Sequence, residues 1–228
     1  VTDTADRIRA DLTALADPGI LAVNRRHGDE HAVNLTALRN AVKDATTGMK
    51  PAARHEVGLA LWQNGDSAAS LAATLLLRPK SCTADDLDRM YREASTPKER
   101  AWLLSYVVVK SGHAAALRDR WFGDADPVIA AAGWSLTARD ITAGRDAGPH
   151  DLTTLLDLIE AEMASSPEVL QWSQNEVLAQ TGIRHPELRD RALAVGEKLG
   201  VFRDYPTAKN CVSPFAPVWI TEMVARQD

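Results

Sequence analysis

Cysteine is nearly missing from this chain. Of its 228 residues only Cys82 and Cys211 are cysteines, far apart and without a CxxC partner, so neither a disulfide framework nor a cysteine-rich zinc site is available. Long apolar runs are missing too: the longest, Leu71 to Leu77, is far too short to span a membrane. β-branched residues are sparse and no period-two alternation persists, which leaves strands little to build on. The sequence also lacks HExxH, a Walker-type loop, a dinucleotide glycine fingerprint and a nucleophile elbow, so no cofactor is expected. An excess of positive charge is absent as well. The formal net charge is -5, which weighs against a uniformly basic nucleic-acid binder and leaves room for one basic face.

The N-terminus is polar and charged, unlike a signal peptide, and the absence of an initiator Met points to a trimmed or omitted leader. Cysteine usage suits a reducing cytoplasm, with nucleoid association if DNA is bound. What the chain does have is apolar content, at 45%, enough for one large domain or a short repeat array spanning 1–228, with 200–228 as a C-terminal capping tail.

In order, residues 2–16 read as an amphipathic helix with Ile8, Leu12 and Leu15 at helical spacing, ended by Pro18-Gly19. Asn24 to His31 is a charged connection. Its His27 and His31, with Asp29 and Glu30 between them, have metal-ligand spacing only if helical; Gly28 argues for a loop, no third ligand is apparent, and no metal is expected. A helix from Asn34 turns Leu38 and Val42 inward and Arg39, Asn40 and Lys43 outward, and Gly48 stops it. Pro51 opens another helix, closed by Asn64-Gly65, and Asp66 caps an almost wholly apolar one that must be buried.

From Asp66 a unit repeats. Helices opened by a cap or Pro at Asp66, Pro97, Pro127 and Pro167 are each followed by a second helix, near Thr83, His113, Asp151 and His185. A period of roughly 30 to 40 residues is that of helical-repeat solenoids. Leu117-Arg118-Asp119-Arg120 and Leu188-Arg189-Asp190-Arg191 are identical and both follow a His, while Trp102 and Trp172 each stand five residues after their prolines. Pro206, Pro214 and Pro217 make the tail an extended strap, with a short helix from Val218 to Arg226 to close the array.

The stretch Thr96 to Gly112 organises the rest. Thr96 caps, Pro97 suits the first helical position and Glu99 completes a capping box, while Gly112 ends the run. Trp102, Tyr106, Val109 and Lys110 then share one face.

The VNLTALRNAVK helix, the tandem helical pairs, the capped helix bearing Trp102 and the ADPVIAAAGWSL segment together resemble the bacterial DNA alkylation repair enzymes, the AlkD-like glycosylases built from HEAT-like repeats. The resemblance covers about Asn24 to Leu199. It implies an all-α fold, a curved solenoid of HEAT-like helical hairpins, and a concave basic face that cradles duplex DNA. It also implies hydrolysis of the N-glycosidic bond of cationic N3- or N7-alkylated purines without extruding the base.

That chemistry needs a carboxylate beside the developing oxocarbenium ion and aromatic faces for the positive charge. The family places an Asp four residues after a Trp. Trp102 matches the Trp, and position 106 is Tyr. A second family Trp falls near Asn175 or Glu176, and a backbone-binding Arg near Ala131, where neither residue type stands. Catalysis would then fall to Trp102, Tyr106 and Glu176, with Trp134 and Trp172 as aromatic surface and Arg39, Lys98, Arg100, Lys110 and Arg139 on phosphates. Each has a plainer reading, the tryptophans as core and the cations as a solvated face. Two functions follow. One is an alkylpurine glycosylase acting on double-stranded DNA as a monomer. The other is a non-catalytic repeat module binding DNA or a protein partner, away from any membrane.

Overall fold

Helices carry nearly all the regular structure of the chain, and no strand occurs among the residues described by the computed structural model, 1–63 and 66–227. They fall into two units, Val1–Ala114 and Ala115–Asp228.

In the first unit α1 (Thr2–Ala14) buries Ala5, Ile8 and Leu12. Pro18 does more than end it. Asp17 accepts from the backbone N–H of Gly19 at 2.6 Å, and Pro18 becomes the first residue of α2 (Pro18–Arg25), a helix the sequence reading passed over and one that has no buried residue. α3 (Leu35–Ala45) is capped by Asn34, whose side-chain oxygen accepts from Thr36 at 2.9 Å and Ala37 at 3.2 Å. α4 (Pro51–Trp62) follows; its expected stop at Asn64-Gly65 lies outside the described residues. α5 (Ser67–Leu76), capped by Asp66, is buried along almost its whole length because α1, α3, α4 and α7 (Pro97–Tyr106) all pack on it. A helix that is apolar all round must be enclosed in this way, each fully buried leucine contributing about 2 kcal/mol. Gly58 lets α4 approach, since a Cβ there would stand 3.1 Å from the Leu77 backbone nitrogen. Between them α6 (Ala84–Glu93) starts at a capping box formed by Thr83 and Asp86.

α7 is shorter than its sequence suggests. It stops at Tyr106; Val107 still donates to the Leu103 carbonyl at 3.0 Å but its φ opens to -118°, and Val108–Lys110 make one 3-10 turn before Gly112 at φ 81°. Three consecutive valines, each with a restricted side chain, account for the early end.

The second unit holds α8 (Ala114–Trp121), α9 (Pro127–Thr142), α10 (Leu152–Glu162), α11 (Glu168–Arg184), α12 (Pro186–Leu199) and α13 (Ala216–Ala225). α11 is its centre, packed by α9, α10, α12 and α13. Gly133 brings α9 against the end of α8, where a Cβ would meet the Phe122 backbone nitrogen at 2.5 Å.

The repeated Leu-Arg-Asp-Arg segment has a structural use. Arg118, 5% exposed, donates from α8 to the Asp140 carboxylate at 2.6 Å and the Asp146 carbonyl at 2.7 Å, at the end of α9. Burial opposes its charge, but the hydrogen bonds of Asp119 and Asp140 outweigh this and hold its pKa above the usual value. Arg189 donates from α12 to the carbonyls of Gly182 at 2.9 Å and Ile183 at 3.3 Å, in the last turn of α11. Arg189 thus satisfies carbonyls that the end of α11 leaves without partners, while Arg118 ties α8 to the last turn of α9 and the loop after it.

The tail runs through turns and irregular backbone from Val201 to Phe215 before α13, whose Ile220 is fully buried against α11. Gly196 makes room for it: a Cβ there would lie 2.7 Å from the Pro217 ring. Among the described residues no helix is long and apolar enough to cross a membrane.

Candidate nucleic-acid interface

The start of α7 is clamped from a distance. Asp29, 5% exposed, accepts from the backbone N–H of Lys98 at 2.8 Å, and Thr96 accepts from that of Glu99 at 3.3 Å. The Glu99 carboxylate reaches back to the Ser95 N–H at 3.0 Å, one residue before the position a standard capping box would use. The charged loop before α3 therefore serves this helix. His31 is buried, with Nδ1 3.1 Å from the Val33 carbonyl, and Asn24 donates to the His31 carbonyl at 2.8 Å, whereas His27 is exposed.

With that entry fixed, Lys98, Trp102 and Tyr106 line one face of α7 at four-residue spacing. Arg39 crosses to it from α3. Its guanidinium lies 4.5 Å from the Trp102 ring centroid and donates to the Tyr106 hydroxyl at 3.2 Å. Trp102 and Tyr106 meet edge to face at 5.2 Å, and the Lys110 ammonium sits 5.5 Å from the Tyr106 ring centroid. Such cation–ring contacts contribute about 0.5–1 kcal/mol each at exposed sites. Among the described residues the side-chain cations of Arg39, Lys98 and Lys110 have no carboxylate partner, so aromatic faces position the first and last without neutralising them. Lys98 borders a pocket of about 280 Å³ together with Asn24, His31, Asn34 and Thr36.

Arg100 belongs elsewhere. Two residues from Trp102, it faces away from this cluster, and its half-buried guanidinium lies by Tyr91, whose hydroxyl burial pushes up to about 12 against the opposing pull of Arg100. Lys43 was not singled out as a site residue, although it stands one turn past Arg39, exposed and without a carboxylate partner among the described residues. Its i, i+4 spacing from Arg39 is the signal that finds it.

The remaining predicted site residues lie in the second unit. Trp134 is core: 3% exposed and stacked on Phe122 at 4.4 Å, it has almost no surface to offer. Arg139 is exposed in the last turn of α9. Trp172 is half-buried, stacked on Phe202 at 4.2 Å with Tyr205 perpendicular to it at 5.1 Å. Glu176 follows one turn later on α11, and burial pushes its carboxyl above the usual range. At the positions where the resemblance expects a second Trp and an Arg, Asn175 is buried and donates to the Pro214 carbonyl at 2.8 Å, and Ala131 is packed in the core.

Chemically, the α3–α7 cluster offers cations, a hydroxyl and an indole, and no carboxylate. It suits an anion beside an aromatic surface.

Comparison with known proteins agrees with this fold. The uncharacterized proteins Lin0241 of Listeria innocua serovar 6a and Lmo0209 of Listeria monocytogenes serovar 1/2a are each 21% identical to the chain over 201 residues, covering 86% of it and 87% of each relative. A solved structure described as a new family of proteins related to the HEAT-like repeat DNA glycosylases, with affinity for branched DNA structures, matches with a TM-score of 0.70. That match spans 96% of this chain and 93% of the other at 20% identity, and establishes the HEAT-like repeat fold. A family model described as DNA alkylation repair enzyme matches residues 8–219, and the chain accordingly belongs to the DNA alkylation repair enzyme family.

Proposed function

We propose that this protein binds DNA by its phosphate backbone through Arg39, Lys98 and Lys110, and that it does so without hydrolysing the glycosidic bond at this cluster. The observation that carries the reading is the bond from Arg39 to the Tyr106 hydroxyl beside Trp102. Where a glycosylase of this family would present a carboxylate to an oxocarbenium ion, this chain presents a cation held by a phenol and an indole. A cation there attracts phosphate and repels the positive charge that base loss develops. The affinity of the solved relative for branched DNA supports the DNA-binding part of the reading. With two free thiols, the chain fits a reducing cytoplasm, at the nucleoid.

Fluorescence anisotropy with labelled DNA over a salt series tests it. Each phosphate contact contributes about 0.9 to the slope of log affinity against log salt. Arg39→Ala with Lys110→Ala is expected to flatten that slope by roughly two. An unchanged slope in a folded double variant would overturn the assignment.

One observation favours a hydrolytic reading at another place. Trp172 and Glu176, one turn apart on α11, recreate an aromatic–carboxylate spacing in the second unit. Mass spectrometry of bases released from duplex DNA treated with a methylating agent or a bulky alkylator, with Glu176→Gln as control, decides it. Release of a 3- or 7-alkylpurine that the control abolishes would establish a glycosylase.

A further inference from the structure

The aromatic group around Trp172 needs an explanation beyond phosphate binding. Trp172 and Phe202 stack at 4.2 Å, and Tyr205 stands perpendicular to both, at 5.1 and 5.8 Å. The group is not core: Trp172 and Phe202 are half-buried and Tyr205 is 44% exposed. Phe202 holds its place with φ at 62°, in the left-handed region that bulky residues seldom occupy. A strained backbone therefore brings its ring onto Trp172.

The local charge selects the occupant. α11 carries Glu168 and Glu176 and no Lys or Arg before Arg184. In the tail, Arg203 is already engaged, donating to Glu197 at 2.8 Å and lying over the Phe215 ring, so exposed Lys209 and Asp204 offset each other. Such a surface does not attract a phosphate track. It offers flat, partly exposed aromatic rings in surroundings with no excess of positive charge, and a nucleobase freed from pairing stacks on such rings whatever its sequence.

We propose that Trp172, Phe202 and Tyr205 form a stacking platform for an unpaired nucleobase, at a single-stranded flap or branch, which gives this chain a preference for branched over plain duplex DNA. The inference rests on the DNA-binding reading above. It separates from that reading by its salt dependence, because stacking releases no counterions while the α3–α7 cations do.

The test compares a plain duplex with a flap substrate carrying 2-aminopurine in its unpaired arm. Wild-type protein is expected to quench the 2-aminopurine and to bind the flap about tenfold more tightly, with that ratio constant over a salt series. Tyr205→Ala, an exposed change that leaves the core intact, is expected to lose the quenching and most of the ratio while keeping duplex affinity. Tyr205→Phe should retain both. Equal binding of the two substrates, or quenching unaltered in Tyr205→Ala, would overturn the platform and leave the phosphate-binding reading standing. Duplex and flap both unbound would overturn the two together.

Discussion

Arg39 and Tyr106, 67 positions apart in sequence, are joined by a 3.2 Å hydrogen bond that fixes which chemistry the α7 face can perform. Tyr106→Asp would replace the phenol with a carboxylate facing Arg39 and ending four residues after Trp102. The expected outcome has two parts. Pairing with Arg39 removes one free cation, so the salt slope of DNA binding falls by about one. Release of alkylated purine from methylated duplex rises above the wild-type level, read by mass spectrometry. No gain in release would show that position 106 is not where the reaction would occur.

The buried arginine of the second unit should matter for stability. Arg118→Ala leaves Asp140 with only the exposed Arg145, 2.6 Å away, and leaves the Asp146 carbonyl without its donor. A loss of about 3 kcal/mol is expected, measured by urea denaturation, and a cost below roughly 1 kcal/mol would mean the network is replaceable.

Two glycines make a paired test. Gly133→Ala drives a methyl group into the Phe122 backbone and should cost about 3 kcal/mol, because backbone cannot step aside as a side chain can. Gly123 has nothing within 4 Å of an added Cβ, so Gly123→Ala should leave the melting temperature unchanged or raise it. Similar losses in both would refute the close approach of α9 to the end of α8.

Glu176 predicts a pH dependence. Burial raises its folded pKa above the ordinary 4.5, so between the two values the native state holds a proton that the unfolded chain releases. The native state binds more protons there, and stability falls as pH rises through that window and then levels off. Glu176→Gln should therefore melt higher than wild type at neutral pH, with the difference vanishing below pH 4.5. Parallel melting curves across the range would contradict it.

What the sequence revealed followed local rules. Asp66 and Thr96 cap the helices they precede, helices start where expected near Asn34 and Thr83, and α5 is buried as its composition requires, because cap and periodicity are properties of neighbouring residues. The errors also have local causes. Pro18-Gly19 does follow the end of α1, but reading it only as a stop hides the start that Asp17 makes of it, and the valines after Tyr106 look apolar enough to extend α7 while resisting helix. The site was legible only in part. Trp102 and its helix stand out, but nothing near Arg39 in sequence announces that its guanidinium will lie on that indole, and nothing near Trp172 announces Phe202. Pairings of that kind depend on how segments distant in sequence pack.

α2 buries none of its residues, and it links α1, held in the core by Ile8 and Leu12, to Asp29, tied to the start of α7. Opening this helix exposes little apolar surface, so its amides should exchange with solvent well before those of α5. Trypsin should cut first after Arg25 or Arg26, both exposed, and the nicked protein should keep α1 bound without a covalent connection. The first two dozen residues would then behave as a separable piece that folds onto the remainder, allowing the chain to be split and reassembled from two fragments.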